Sequence, residues 1–165
     1  IIIILTAMVL ANYKTGQRQL ALQRGVYKLA QDIRRAQEMA MGARECWVEG
    51  EKKVPPGGYG VYIQKSENDR YYIYADVTGN GSYDSGDKTI ETIYFEKGIF
   101  VEDLSDSSES FSSISINFTP PEPKVTIKNE SEEDKESVKI TIALTKDPSK
   151  TRTVTVNKVG LIDID

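Results

Sequence analysis

The chain has 165 residues, of which 39% are apolar and 28% charged, and its formal net charge is −4 from 25 acidic and 21 basic side chains. That length fits one domain, or one domain plus an extended helix, and the charged content argues against a polytopic membrane protein. There is no histidine and a single cysteine, Cys46. The commonest general base and metal ligand is therefore missing, no internal disulfide can form, and the thiol lacks the imidazole that usually activates it. The sequence reads as a non-enzyme with Cys46 as a packed residue, and its acidic balance, without a long basic stripe, disfavours nucleic-acid binding.

The first element is an apolar run, Ile1-Ile2-Ile3-Ile4-Leu5-Thr6-Ala7-Met8-Val9-Leu10-Ala11, with no charge before Lys14. A bilayer span needs about 20 apolar residues, so the run is expected to be the end of a longer apolar segment. A buried N-terminal strand is the other reading of four isoleucines. Leu22, Val26, Leu29, Ile33, Ala36 and Ala40 follow at steps of four and three, the seam of an amphipathic helix whose opposite side is charged. One helix is predicted from Ile1 to about Gly42, on the order of 60 Å long at ~1.5 Å per residue. Its apolar part, residues 1–13, is expected to protrude, and its amphipathic part, 14–44, to pack on a sheet.

Beyond Gly42 the period changes to two. Tyr59, Val61 and Ile63 alternate into a turn at Ser66–Asp69, and Tyr71, Ile73 and Ala75 alternate back, which predicts a hairpin. Val54–Gly58 reads as a loop because of its paired prolines. Further strands are predicted at Thr89–Phe95, Phe100–Val101, Ile114–Phe118, Val125–Ile127, Val138–Leu144, Arg152–Val156 and Leu161–Ile164. Turns are expected at Asp147–Lys150 and Asn157–Gly160, with solvated loops at Ser105–Ser113 and Asn129–Ser137. The fold class is thus α+β: a long N-terminal helix (1–44) and an antiparallel β domain (45–165).

Several segments together resemble the type IV pilin-like proteins, in particular the GspH/FimT group of pseudopilins. The apolar opening into Asn12-Tyr13 is similar to the second half of the pilin helix. Leu22–Ala43, with Leu29-Ala30-Gln31-Asp32-Ile33-Arg34-Arg35-Ala36-Gln37, resembles that group's helix, Tyr74–Asp87 its Asp/Asn/Gly-rich connection, and Val154–Gly160 its closing strand and glycine turn. The resemblance implies a pilin-like fold and a structural subunit of a type IV pilus-like filament or a type II secretion pseudopilus. Ile1, Ile2, Ile3, Ile4, Leu5, Met8, Val9 and Leu10 would then serve as the filament and membrane helix. It also implies copies of itself or other pilin-like subunits as partners, a prepilin peptidase and assembly machinery. The location would be the cytoplasmic membrane first and a surface or periplasmic filament later. About ten residues would precede Ile1 in such a protein. Many pilins break this helix with glycine and proline; Ile3 and Ala11 stand at the matching places, so a continuous helix is expected. Some relatives bind DNA through a basic tail, whereas Leu161-Ile162-Asp163-Ile164-Asp165 is acidic and should repel phosphate.

Asp76–Asp87 also fits a twelve-position calcium-loop template, with Asp76, Thr78, Asn80, Ser82, Asp84 and Asp87 at positions one, three, five, seven, nine and twelve, and Gly81 at the sharp turn. The flanks read as strands and position twelve is Asp, so a metal-free hairpin loop is the competing reading. Calcium is the one cofactor the sequence suggests. Tyr59, Tyr62, Tyr71, Tyr72 and Tyr74 could line a ligand-binding strip or simply populate a half-buried sheet. Asn117 and Asn129 match the N-glycosylation pattern. A membrane-tethered module that binds a ligand or partner through the calcium loop or the tyrosines is the alternative to a filament subunit.

Overall fold

The computed structural model describes residues 2–48, 50–121 and 124–165, with side chains from residue 16 onward. Helix α1 spans Ile2–Met41. Strands β1 (Cys46–Val48), β2 (Glu51–Lys53), β3 (Gly58–Gln64), β4 (Arg70–Asp76), β5 (Lys88–Tyr94) and β6 (Ile99–Ser105) follow. Then come β7 (Ser113–Thr119), β8 (Lys124–Asn129), β9 (Ser137–Leu144), β10 (Asp147–Asn157) and β11 (Ile162–Ile164).

The helical spacing has its physical consequence in burial. Leu22, Val26, Leu29, Ile33, Ala36 and Ala40 are all 4% exposed or less, while Leu20, Tyr27 and Met41 on other faces are more than half exposed. The side chains of Ile1, Ile2, Ile3, Ile4, Leu5, Met8, Val9 and Leu10 lie outside the described residues. At the far end the helix stops after Met41, at the expected Gly42, and the left-handed closing residue is Ala43. Ala43 has φ +43°, its N–H donates to Ala40 O, and Arg44 N–H donates to Met39 O. This is a Schellman closure with an L-residue where glycine is usual.

The strands form two principal antiparallel sheets where one was expected. The five-stranded sheet has the order β5-β4-β3-β7-β8, and the four-stranded sheet the order β11-β10-β9-β6. Period-two alternation shows that a strand has a buried face but not which sheet it joins. The seam of α1 closes on both sheets: one apolar cluster joins Leu29 and Ile33 to Val61, Ile73 and Ile116 of the first and to Ile140, Ile142 and Val154 of the second. Burying each such side chain contributes about 1.5–3 kcal/mol.

The expected hairpin is β3–β4, with Tyr59 opposite Ala75 and Val61 opposite Ile73. A small hairpin, β1–β2, occupies Cys46–Lys53, where the sequence showed no alternation; Cys46 is partly buried against the core. Asp147–Lys150 is not the turn. Thr145–Lys146 turns, and β10 starts at Asp147 with a register shift before Thr151, which accommodates Pro148 without a ladder bond. The polar stretch Ser105–Ser113 is tied down by Phe111, which is only 2% exposed.

One polar group on the buried side of α1 is Asp32, 5% exposed. Tyr71 Oη donates to its Oδ2 at 2.6 Å and Lys28 Nζ lies at 3.2 Å. Burial and this carboxylate together push the Tyr71 hydroxyl far above the usual phenol range, so it remains a donor. The pairing lets a carboxylate sit between helix and sheet without an unmet charge.

Candidate functional site

Alternation along the five-stranded sheet separates two faces. The face toward α1 carries Tyr59, Val61, Ile63, Tyr71, Ile73 and Ala75. The outer face carries Gly60, Tyr62, Tyr72, Tyr74, Asp76, Ser115 and Asn117, as their pairing across β3, β4 and β7 requires. The five tyrosines therefore do not form one strip: Tyr59 and Tyr71 point to the core, and the other three point away from it.

The β4–β5 connection, residues 77–87, folds back over that outer face. The Tyr83 ring lies 4.7 Å from Tyr62, 5.1 Å from Tyr74 and 6.1 Å from Tyr72, nearly parallel to the last. Tyr83 N–H donates to Ser115 Oγ at 3.0 Å, and Lys128 Nζ reaches Asn80 O at 2.8 Å. Tyr72 Oη donates to Glu67 and is pushed up to about 12 by that bond. The loop is thus a lining over the sheet and not a free hairpin tip.

Its anchor is Asp76, fully buried at the end of β4. Asp76 Oδ1 accepts from Gly79 N–H at 2.6 Å and Oδ2 from Gly81 N–H at 2.8 Å. Space for the carboxylate comes from Gly57, where a Cβ would collide with it, and Tyr74 lies flat across Gly60, where a Cβ would come within 2.6 Å of the ring. Gly81 has φ +77°, a conformation that disfavours any side chain. Asp87 Oδ1 accepts from Val77 N–H at 2.9 Å and Thr78 N–H at 3.2 Å, and its Oδ2 from Asp84 N–H at 3.0 Å. Asp84 accepts from Asn80 Nδ2 and Gly86 N–H, each at 2.6 Å. Ser82 is buried, with its N–H on Asn80 Oδ1 at 2.8 Å.

The loop thus brings together all six oxygen-bearing residues singled out in the sequence. Asp87 is the electrostatically stressed member: burial first, and then the charges of Asp76 and Asp84, hold its carboxyl above the usual range against the amides that pull it down. Among the described residues no three Asp, Glu, His or Cys side chains are arranged to hold a metal unaided, so any cation here would need the neutral oxygens as well.

Two members of the site escaped the sequence reading. Tyr83 was visible as the one aromatic in a polar loop. Asn117 sits in β7 with Ser113, Ser115 and Thr119 at alternate positions, a polar face on a central strand. Asn117 and Asn129 are both buried, so neither offers the exposed amide that glycosylation needs. Among the described residues no helix is long and apolar enough to cross a membrane.

These features define an α+β protein in which one N-terminal helix packs on antiparallel sheets, with a structured Asp/Gly loop on the outer face. No family model matches the sequence, and neither a curated protein nor a solved structure matches it.

Proposed function

We propose that this chain is a structural subunit of a type IV pilus-like filament or secretion pseudopilus, pilin-like in fold, and that it assembles through its N-terminal helix. The observation that carries the reading is an asymmetry along α1. The helix has 40 residues, yet its buried side chains among the described residues begin only at Ala21. Ahead of that point the sequence is polar from Lys14 to Gln19 and almost wholly apolar from Ile1 to Ala11. A compact domain has no use for an apolar segment placed there, whereas a bundle of sibling helices, or lipid before assembly, does. The partners are then further copies or related subunits, with a membrane stage handled by a peptidase and assembly machinery.

The test is assembly of the whole chain against a chain lacking residues 1–13. Sheared surface material from cells making the whole chain should contain thin filaments that include it, and the shortened chain should be a folded monomer. If both chains are equally monomeric in detergent-free buffer, the proposal fails.

A further inference from the structure

We propose that residues 76–87 bind a calcium ion, a site that does not depend on the filament reading. Asp76, Asp84 and Asp87 together with neutral oxygens of Thr78, Asn80 and Ser82 would form the shell. The strongest observation is a distance pattern around one hydroxyl. Thr78 Oγ1 lies 3.3 Å from Asp76 Oδ1, 3.4 Å from Asp84 Oδ2 and 3.3 Å from Asp87 Oδ1. The hydroxyl has one proton and can serve one of those carboxylates. Hydroxyl–carboxylate bonds normally close to about 2.5–2.8 Å. Oxygens that share a calcium ion at about 2.3–2.6 Å sit on the order of 3.3 Å apart. The observed spacing matches that of neighbouring calcium ligands, whereas magnesium, with ligands at about 2.0–2.1 Å, would need the loop to tighten.

Electrostatics points the same way. The ion pairs found among the described residues engage other carboxylates, and none engages Asp76, Asp84 or Asp87. Asp76 is nonetheless fully buried. A charge taken out of water beside two like charges calls for a counter-charge.

A separate observation lies in the sheet beneath the loop. Asn117 Oδ1 is buried without a hydrogen-bond partner, and Tyr74 Oη, also fully enclosed, has Ser115 beside it as a donor but no acceptor for its own proton. The Asn117 amide faces the anchor: its Nδ2 is 3.3 Å from Asp76 Oδ2 and 2.8 Å from Gly57 O. The Tyr74 hydroxyl feels the charges of Asp76, Asp87 and Asp84. Orphaned polar groups are rare in folded proteins and mark a missing polar occupant. Calcium brings coordinated water, which can donate to Asn117 Oδ1 and accept from Tyr74. The carboxylates do not enclose a metal alone; Thr78 Oγ1 would join the shell as it stands, and the Asn80 oxygen, which accepts from Ser82 N–H while Nδ2 faces Asp84, would join it once that amide turns over. With Asp in place of Glu at the last position, affinity should lie at about 10⁻⁵–10⁻³ M.

The experiment uses the whole chain, with calcium, magnesium and terbium as probes. Terbium should luminesce when Tyr74 and Tyr83 are excited, and calcium should quench that signal by displacement. Calcium at a hundredfold excess over Kd should raise Tm by about 5–10 °C, and magnesium at the same concentration should not. Asp84→Asn, a half-exposed position, should keep the circular dichroism of the parent and weaken calcium binding at least tenfold; Asp76→Asn should abolish it. No Tm shift up to about 10 mM calcium, or an Asp84→Asn response equal to the parent's, overturns the site.

Discussion

The five-stranded sheet has two faces built from the same strands by different rules. Toward α1 the central strands β3, β4 and β7 present Tyr59, Val61, Ile63, Tyr71, Ile73, Ile114 and Ile116, and the face is sealed by a helix. On the other side the central strands carry tyrosines, a carboxylate, an amide, a serine hydroxyl and a glycine, and the cover is an eleven-residue loop. The inner face is held by area removed from water, which tolerates exchange among apolar shapes. The outer face is held by directional contacts: amides on Asp76, rings around Tyr83, a hydroxyl on Thr78. It needs specific residues and binds less area. The first face should set global stability, and the second should set the local order of the loop.

The largest effect is expected inside. Leu29→Ala, which leaves a cavity at the point where both sheets meet the helix, should cost about 3 kcal/mol in urea unfolding with m unchanged. Tyr83→Ala should cost less, about 1–2 kcal/mol, through three ring contacts. Its signature should be lost hydrogen-exchange protection at Gly79, Gly81 and Tyr83 while Val61 and Ile73 remain protected. Equal loss of protection on both faces would show that they are one cooperative unit. Ala43→Gly should stabilise by about 1 kcal/mol, because glycine removes the cost of the left-handed closure; a neutral result would mean that the helix end frays.

The smallest effect separates the two regions by pH. The Arg24 guanidinium holds Glu96 below the usual carboxylate range, through a bidentate bond at 2.9 and 2.7 Å. Its folded form binds a proton less readily than the unfolded one, so the contribution is full above that range and is lost as pH falls through the lowered value. Asp87 has the opposite sign: its raised value makes the charged form costly, so the cost is absent in acid and appears as pH rises through the carboxylate range. Glu96→Gln should therefore lower Tm slightly near neutrality and converge with the parent in acid.

Much of the fold was legible because burial writes a period into sequence. Leu22 to Ala40 step at helical spacing, and Tyr59 to Ala75 alternate across a turn. Sheet membership was not legible: Val138–Leu144 and Ile114–Phe118 carry the same alternation yet lie in different sheets, since pairing is decided by tertiary register. The site was half legible. Its six oxygen-bearing residues stood at template spacing, but the fold-back that sets Tyr83 on Tyr62 and Asn117 beside Asp76 is long-range and leaves no local trace. Gly42 was legible as the helix stop, since the helix ends at Met41; that the left-handed closing residue is Ala43 was not, because alanine gives no signal for that role. The expected roles of Ile1 to Leu10 concern side chains outside the described residues.

The shared seam of α1 has a mechanical consequence. Because α1 packs on both sheets at once, tension drawn along the helix axis cannot peel one layer away first. It has to shear both interfaces together, with the load divided among side chains from Ala21 to Ala40, and that geometry resists pulling far better than it resists heat.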